Sequence, residues 1–291
     1  MNGADAVRAG EGGVAARDRL SVAMCTFNGE TYLRAQLDSI LAQSVPVDEI
    51  IVADDGSTDG TREILESYRA RLPQLFQLHF QQTNRGTVGN FEFVLERCTG
   101  DIIFLCDQDD VWDPEKVAAM TQRMRQTRCL LLFTDGRLIG PTGAPLEASL
   151  WERFKFTPLR RLLWRWVPGV ALLDLLNNNN KVTGATVAMR SLLLESALPI
   201  RLPSGYWHDA WFAMHAAAQD RLAFDSRRLV AYRIHPKQQV GVSQNVTSGH
   251  VAEVSFAEFN EGFRAQYPSR VKLVERVRAI FEFKSRLGLG R

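Results

Sequence analysis

The chain has 291 residues, of which 45% are hydrophobic and 23% are charged. This composition is that of an ordinary globular protein, and it excludes a disordered or fibrous chain. The formal net charge of +2 is too small for a general nucleic-acid-binding protein, which needs a basic surplus to neutralise phosphates. The length allows one large core, or one core with a smaller appended lobe.

The N-terminal segment and the cysteines indicate a cytoplasmic protein. Residues 1–18 lack the apolar segment of a signal peptide, so we expect them to form a disordered N-terminal tail. The four cysteines occur singly, without the paired spacing of a zinc site, and we expect them to be reduced. No stretch approaches the roughly 20 apolar residues of a membrane-spanning helix.

Strand and helix patterns alternate through the first half of the chain. Apolar runs predict five strands, at Leu20–Cys25, Glu49–Ala53, Leu75–Phe80, Asp101–Cys106 and Cys129–Thr134. The segments between them carry apolar residues at helical spacing, and Pro114 is suited to the first turn of one such helix. This alternation predicts an α/β fold with a mostly parallel, Rossmann-like sheet flanked by helices.

The rhythm changes after Asp135. The second half starts with a turn at Gly140–Gly143 and a basic, Leu-rich stretch at Trp151–Leu176, which is broken at Pro168-Gly169. A strand at Val182–Met189, a helix at His208–Gln219 and a final strand at Leu229–His235 follow. We therefore divide the chain into the tail, one domain over 19–240 and a basic helical extension over 241–291. Within the domain, the change of rhythm separates a first half over 19–135 from a second half over 136–240.

Polar residues follow each of the first four predicted strands. They are Thr26-Phe27-Asn28-Gly29, Asp54-Asp55-Gly56-Ser57, Asn84-Arg85-Gly86 and Asp107-Gln108-Asp109-Asp110. Ligands of open parallel sheets bind outside the carboxyl ends of the strands, so these residues predict one binding edge. Carboxylates spaced as Asp107 and Asp109 can share one hard cation, which then coordinates phosphate oxygens.

Two other nucleotide-binding classes lack their motifs. No Gly-x-Gly-x-x-Gly follows the first strand, which weakens a dehydrogenase interpretation, and the chain has no Walker-type Gly-Lys-Ser loop. The remaining interpretation is a nucleotide diphosphate held through a metal ion, with its base at the ends of the first two strands.

These motifs resemble those of family 2 glycosyltransferases, which have the GT-A fold. The resemblance rests on the order and spacing of four segments, Ser21–Asn28, Val52–Asp59, Asn84–Asn90 and Asp107–Asp110. With the later motifs it covers roughly residues 20 to 240. It implies a nucleotide-sugar donor and a Mn²⁺ or Mg²⁺ cofactor. It also implies that 19–135 is the nucleotide-binding half of the domain and 136–240 the acceptor-binding half.

The resemblance also assigns roles to residues. The implied nucleotide-binding residues are Thr26, Phe27, Asn28, Asp54, Asp55, Arg85 and Asp107, and the implied metal ligands are Asp107, Asp109 and His235. The candidates for contacts with acceptor or diphosphate are Gly184, Trp207, His208, Trp211 and Arg233. Asp209 takes the place of the catalytic base, although an aspartate at the start of a helix is most often only an N-cap.

The later motifs resemble those of bacterial rhamnosyltransferases. The Trp207-His208-Asp209 segment and the run from Tyr232 to His235 carry this likeness, together with the acidic motif. They imply an inverting transfer of L-rhamnose from dTDP-L-rhamnose to a glycan or lipid-linked acceptor in cell-surface polysaccharide synthesis. The alternatives are another donor such as a UDP-hexose, a sugar-nucleotide-binding protein without activity, a nucleotidylyltransferase, or a scaffolding membrane protein.

The C-terminal extension is basic. From Arg264 onward there are eight Lys or Arg residues and two Glu. One helical face is approximated by Val271, Val274, Val277, Arg278 and Phe281. Such a helix either lies on the inner face of an anionic membrane or packs on the body with a solvated basic face, and the sequence leaves both open.

Overall fold

The structure, a computed structural model, describes residues 17–203, 205–236, 238 and 254–286. Its strands are β1 (Leu20–Thr26), β2 (Glu49–Asp54), β3 (Phe76–Phe80), β4 (Ile102–Cys106), β5 (Val111–Trp112), β6 (Leu131–Ile139), β7 (Pro145–Ser149), β8 (Val187–Arg190) and β9 (Leu222–Arg233). Its α-helices are α1 (Leu33–Leu41), α2 (Thr61–Arg71), α3 (Gly86–Leu95), α4 (Lys116–Thr127), α5 (Leu150–Arg153), α6 (Pro158–Trp166), α7 (Val170–Leu176), α8 (Leu194–Ala197), α9 (His208–Ala218), α10 (Phe256–Gln266) and α11 (Pro268–Arg286).

Four parallel strands form the first half of the sheet, in the order β3-β2-β1-β4. Every residue of β2 and β4 is buried, and so is nearly all of β1. Such continuous apolar runs are typical of parallel strands that helices cover on both faces. The four predicted strands are confirmed, with ends that differ by one residue at most from the observed bounds.

The second half of the sheet is mixed. β8 lies antiparallel between β4 and β6, β9 runs parallel to β6, and β5 and β7 add antiparallel edges. A turn closed by the Gly143 N–H and the Gly140 carbonyl reverses the chain between β6 and β7, which only antiparallel neighbours allow. The predicted α/β class is confirmed, whereas the parallel arrangement is confined to the first four strands and the β6–β9 pair.

The strand predicted at Val182–Met189 is shorter than expected. Gly184–Thr186 forms a 3-10 turn, and strand pairing begins only at Val187. The Gly184 N–H donates to the Asp209 carboxylate at 3.1 Å instead of to a neighbouring strand. The sheet therefore ends where the polar site begins.

The basic stretch after β7 folds into the short helices α5, α6 and α7. Ser149 starts α5 through a capping box with Glu152, and Thr157 caps α6. Gly169 adopts φ +83°, a conformation that glycine takes without strain, and it separates α6 from α7. The predicted interruption at this point is confirmed.

The helical extension packs on α7 and α9, two helices of the second half of the chain. Phe259 and Phe263 of α10, and Val274 and Val277 of α11, are buried. The middle of the predicted face is therefore covered, where α11 lies against α7, whereas Arg278 and Phe281 of the same face are exposed. Residues 241–253 and 287–291 of the predicted extension lie outside the described residues.

The described structure includes the last two residues of the predicted N-terminal tail. Arg17 forms an ion pair with Asp48, and Asp18 forms one with Arg125. These two residues thus have defined partners, and residues 1–16 of the predicted tail lie outside the described part. Within the described ranges, no helix combines the length and apolar content that crossing a membrane requires.

Candidate active site

A cavity of 540 Å³ opens at the carboxyl ends of β1, β2 and β4. The predicted site residues that line it are Thr26, Phe27, Asn28, Asp55, Asp107, Asp109, Gly184, Trp207, His208, Asp209 and His235. Both halves of the chain contribute, because α9 starts beside the 3-10 turn that precedes β8. Four predicted residues, Asp54, Arg85, Trp211 and Arg233, are not part of the lining.

Asp54, the last residue of β2, supports the edge of the cavity without lining it. Its carboxylate accepts hydrogen bonds from the Thr26 hydroxyl at 2.8 Å and from the Ser57 N–H at 3.0 Å. These bonds join the end of β1 to the turn after β2. Asp54 is not part of the cavity lining, so its direct contact with the base stays a prediction.

Asp55 is the carboxylate of this turn that lines the cavity. It accepts hydrogen bonds from the backbone N–H groups of Arg85 and Gly86, at 2.7 and 2.9 Å. Burial raises the pKa of Asp55, and the neighbouring Asp54 raises it further, while the two N–H donors oppose the shift. Asp55 thereby fixes the loop that starts α3.

The Arg85 side chain points away from the cavity. Its Nε donates to Gln81 at 3.2 Å, and its guanidinium lies 4.7 Å from the Phe93 ring centre. Only its backbone contacts the site, through Asp55. The prediction of a nucleotide contact from this side chain is therefore not matched by the structure.

Gln108 is a structural member of the site that sequence reasoning quoted but gave no role. It accepts from the Phe27 N–H at 2.8 Å and donates to the Phe27 carbonyl at 2.9 Å. The pair of bonds clamps the end of β1 to the end of β4. Gly29 is required beside it, because a Cβ there would lie 2.2 Å from the Gln108 Oε1.

Carboxylates concentrate on one side of the cavity. Burial, together with the charges of Asp109 and Asp209, raises the pKa of Asp107 to about 7. Behind them lies Lys116, which is fully buried and whose pKa is lowered to about 7, again chiefly by burial. A cation in the cavity would offset the repulsion among these carboxylates.

The three predicted metal ligands do not form a preassembled cluster. Among the described residues, no group of three or more His, Cys, Asp or Glu side chains is placed to hold a metal ion. The His235 Nε2 and the Asp109 carboxylate are hydrogen-bonded to each other at 2.8 Å, and His235 packs against Tyr32. Asp107 and Asp109 nevertheless suit a cation that takes one or two protein carboxylates and completes its shell with substrate phosphates.

Arg233 braces the acidic motif from outside the cavity. Its Nε donates to the Asp109 carbonyl at 2.7 Å, and its backbone N–H donates to the Asp110 carboxylate at 2.9 Å. The guanidinium also lies 4.5 Å from the Tyr32 ring centre. Arg233 therefore positions the loop after β4, in place of the diphosphate contact that the sequence predicted.

Asp209 stands at the start of α9 and lines the cavity. Its carboxylate accepts from Asn180 at 3.0 Å and from the Gly184 N–H at 3.1 Å. Burial raises the pKa of Asp209 to about 6, against the lowering effect of these donors. Asn180 is the last of four consecutive asparagines, at 177–180.

His208 is buried in the cavity wall without a hydrogen-bond partner. Neither ring nitrogen has a partner among the described residues, and the ring stacks on Phe91 with centroids 4.0 Å apart. Burial lowers the pKa of His208 to about 3, so the imidazole is neutral. Close by, the Asn90 Oδ1 is also buried and unpaired in the described structure.

The two tryptophans of this region have different positions. Trp207, just before α9, lines the cavity. Trp211 is buried one turn later, donates to the Ala197 carbonyl at 2.6 Å and packs against His215. The prediction of a ligand contact by Trp211 is not matched by the structure, because a one-turn step along α9 carries it into the core.

A cavity at the carboxyl ends of parallel strands is the usual place of a ligand site in an open α/β sheet. The sequence model of glycosyl transferase family 2 matches residues 21–171 of this chain. The chain therefore belongs to glycosyl transferase family 2, as its motifs predicted.

Two relatives cover part of the chain. The putative teichuronic acid biosynthesis glycosyltransferase TuaG of Bacillus subtilis is 32% identical over 128 residues, which are 44% of this chain and 50% of that protein. An uncharacterized protein of Mycobacterium tuberculosis is 40% identical over 129 residues, 43% of this chain and 37% of that protein. The chain thus spans half or less of the length of these relatives.

Two solved structures share the fold. TarS of Staphylococcus aureus, residues 1–349 in complex with UDP-GlcNAc, superposes with a TM-score of 0.58 at 22% identity, over 88% of this chain and 70% of that one. The mannosyltransferase PcManGT of Pyrobaculum calidifontis, in complex with GDP-Man and Mn²⁺, gives a TM-score of 0.55 at 19% identity, over 77% and 59%. The predicted GT-A fold is confirmed by these likenesses.

Proposed function

We propose that this chain is an inverting glycosyltransferase that moves a sugar from a nucleotide diphosphate to an acceptor hydroxyl. One observation carries the proposal: the cavity joins Asp107 and Asp109, which suit a cation and a diphosphate, to Asp209, which suits a base. The charge of Asp209 is close enough to Asp107 to raise the pKa of that group. A donor and an acceptor bound in this cavity would therefore meet.

The nucleotide would occupy the side formed by β1 and β2. Thr26, Phe27 and Asn28 supply backbone and side-chain groups there, and Asp55 supplies a carboxylate. Asp107 and Asp109 would hold Mn²⁺ or Mg²⁺ together with oxygens of the diphosphate. Such an ion, when bound, supplies Lewis-acid stabilisation of the charge on the leaving diphosphate.

Asp209 would act as general base in a single displacement. The acceptor oxygen forms a bond to the anomeric carbon as the bond from that carbon to the diphosphate oxygen breaks. The acceptor proton passes to Asp209, and the nucleotide diphosphate leaves with the electron pair. A carboxylate with a pKa of about 6 is ionised at neutral pH yet basic enough to assist this transfer.

For the donor we propose dTDP-L-rhamnose. Its support is the resemblance of the Trp207-His208-Asp209 segment and of the acidic motif to bacterial rhamnosyltransferases. The main alternative is a UDP-hexose, in view of the likeness to TarS in complex with UDP-GlcNAc. We propose that the acceptor is a glycan or a lipid-linked molecule of cell-surface polysaccharide synthesis and that the transfer takes place in the cytoplasm. The relative named for teichuronic acid biosynthesis supports this kind of acceptor.

The test is release of free nucleotide diphosphate from a donor panel that contains dTDP-L-rhamnose, UDP-GlcNAc, UDP-glucose and GDP-mannose. Each donor is tested with Mn²⁺, with Mg²⁺ and with EDTA. We expect metal-dependent release from one donor, abolished in Asp109→Ala. Asp209→Asn should lower turnover by about 100- to 10,000-fold. Asp220→Asn, at an exposed carboxylate outside the cavity, is the matched control.

Three outcomes would contradict parts of the proposal. Normal turnover in Asp209→Asn would remove the base assignment. Donor binding without release, for every donor and acceptor supplied, would favour the sugar-nucleotide-binding protein without activity. Absence of any nucleotide binding would overturn the function as a whole.

A further inference from the structure

Helix α6 presents large apolar side chains to solvent. Leu159, Leu162 and Trp166 are 66%, 54% and 71% exposed, and none of the nine residues of α6 is fully buried. Residues three and four apart lie on one face of a helix, so these side chains form one stripe. An exposed apolar stripe of this kind marks an interaction surface rather than a packing surface.

The opposite face of α6 holds the helix firmly in this orientation. Arg160 and Trp164 both donate to the buried carboxylate of Asp174 on α7, the Arg160 Nε and Trp164 Nε1 each at 2.6 Å. The Trp164 ring also packs edge-on against Phe156. These contacts fix the orientation of α6, so the apolar stripe faces solvent on a firmly packed helix and not on a loosely attached one.

A cationic cleft adjoins the stripe. Arg123, Arg161 and Arg165 line a cleft of 410 Å³ together with Leu162. Arg161 lies over the Trp151 ring and Arg165 over the Phe224 ring, which keeps both guanidinium groups extended along the wall. The Arg123 Nε is buried and has no hydrogen-bond partner among the described residues.

Few acidic groups balance these arginines. The sequence of α6 contains three arginines and no acidic residue. Asp225, the carboxylate in the cleft lining, already forms an ion pair with Arg227. Beyond α6, a Cβ at Gly169 would lie 3.3 Å from Leu273 and 3.7 Å from Val277 of α11, so α11 passes close to this glycine.

We propose that α6 and its arginine cleft form a docking surface for an anionic lipid bilayer. Leu159, Leu162 and Trp166 would enter the boundary between headgroups and acyl chains, while the arginines would bind lipid phosphates. A second copy of this chain is the less favourable occupant, because a symmetric contact would place the same arginines against each other. This inference goes beyond the proposed transfer reaction and does not depend on it.

The test is co-sedimentation of the full chain with vesicles. We expect binding to phosphatidylcholine vesicles that contain phosphatidylglycerol and little binding to phosphatidylcholine alone. Arg161→Gln with Arg165→Gln should weaken binding about 30-fold, since each surface arginine contributes roughly fivefold. Leu162→Ser with Trp166→Ser should weaken it by about tenfold or more without affecting the fold, because both side chains are exposed.

Matched variants outside α6 provide the controls. Leu192→Ser removes an exposed leucine, and Arg69→Gln removes an exposed arginine of α2; both should bind vesicles normally. Vesicle binding unaffected by the α6 variants would overturn the proposal. So would an absence of vesicle binding together with a dimer in solution that Trp166→Ser dissociates. Binding of nucleotide to the same variants is measured separately, so a failure of the proposed function is recognised independently.

Discussion

The behaviour of individual site residues depends on burial more than on residue type. Asp107 and Asp209 both lie in the cavity wall, and burial is the main cause of the raised pKa of each. His208, in the same wall, is kept neutral by the same effect. Burial disfavours the charged form of both groups, so it raises the pKa of a carboxyl group and lowers the pKa of an imidazole.

The raised pKa of Asp209 predicts an acid limit to activity. A base must be unprotonated, so kcat/KM should fall about tenfold per pH unit below a pKa of about 6. The Asn180 amide lowers the pKa of Asp209 by donating to its charged form, so Asn180→Ala should move this limit to higher pH. The measurement is the pH profile of donor turnover; Asn177→Ala, in the same asparagine run but bonded to Arg278, should leave the limit unchanged.

The unpartnered nitrogens of His208 predict a contact with substrate. His208→Phe keeps an aromatic ring that can stack on Phe91 but removes both nitrogens. We expect kcat/KM to fall about tenfold, the order of one lost hydrogen bond. The free energy of unfolding should stay equal or rise, because a buried unsatisfied polar group is removed.

The control for His208 is Trp211→Phe, which alters a neighbouring aromatic residue outside the cavity. It should lower stability, since its hydrogen bond to the Ala197 carbonyl is lost, and should leave KM for the donor unchanged. Equal kinetics of wild type and His208→Phe would mean that the imidazole only fills space.

At the scale of elements, the site depends on how strand ends are joined. β1 and β4 are neighbours in the sheet, and Gln108 ties their polar ends together through two hydrogen bonds to Phe27. The Asp54 carboxylate makes the equivalent connection between β1 and β2. Gln108 and Asp54 lie within the polar motifs of the sequence, and in the structure their side chains hold together the loops that carry the proposed ligand-binding residues.

Gly29→Ala is expected to disturb the connection between β1 and β4. The new Cβ would lie 2.2 Å from Gln108 Oε1, so that side chain must move and its two bonds to Phe27 are lost. The expected cost is about 2 kcal/mol in the free energy of unfolding, with weaker nucleotide binding. Urea unfolding and nucleotide titration measure the two effects.

Gly262→Ala is the control for this change. Gly262 lies within α10, and a Cβ there meets no atom within 4 Å. The substitution should stabilise the helix by about 0.5 to 1 kcal/mol and leave nucleotide binding unchanged. If Gly29→Ala behaved in the same way, the Gln108 connection would not support the site.

At the scale of the whole molecule, the C-terminal helices complete the second half of the core. Phe263 of α10 packs edge-on against His215 of α9, the helix whose first turn carries Asp209. The Tyr267 hydroxyl also lies 2.9 Å from His215 Nδ1. The extension therefore supports the helix that presents the proposed base.

Phe263→Ala should destabilise the protein by about 3 to 5 kcal/mol, the usual cost of removing a buried phenylalanine. Phe256→Ala, at an exposed phenylalanine of the same helix, should cost far less. Urea unfolding of the two variants makes the comparison. Similar losses would mean that α10 is not packed on α9 as described.

Much of the first half could be predicted because its signals are local. Apolar runs gave the strands of the parallel half, and the polar residues after them gave the cavity edge. The particular roles were harder, since a sequence does not indicate which way a side chain points. Trp211 and Arg233 sit beside site residues in the chain, yet one is core and the other braces a loop.

The sequence by itself determined the α/β class, the family and the residues that gather at one edge of the sheet, because strand burial and the order of polar loops are written in adjacent positions. Only the tertiary structure decided that Asn180 and Gly184 hold Asp209, that α10 and α11 pack on the body, and that α6 displays its leucines and Trp166. These outcomes depend on contacts between residues far apart in the chain, which no local pattern specifies.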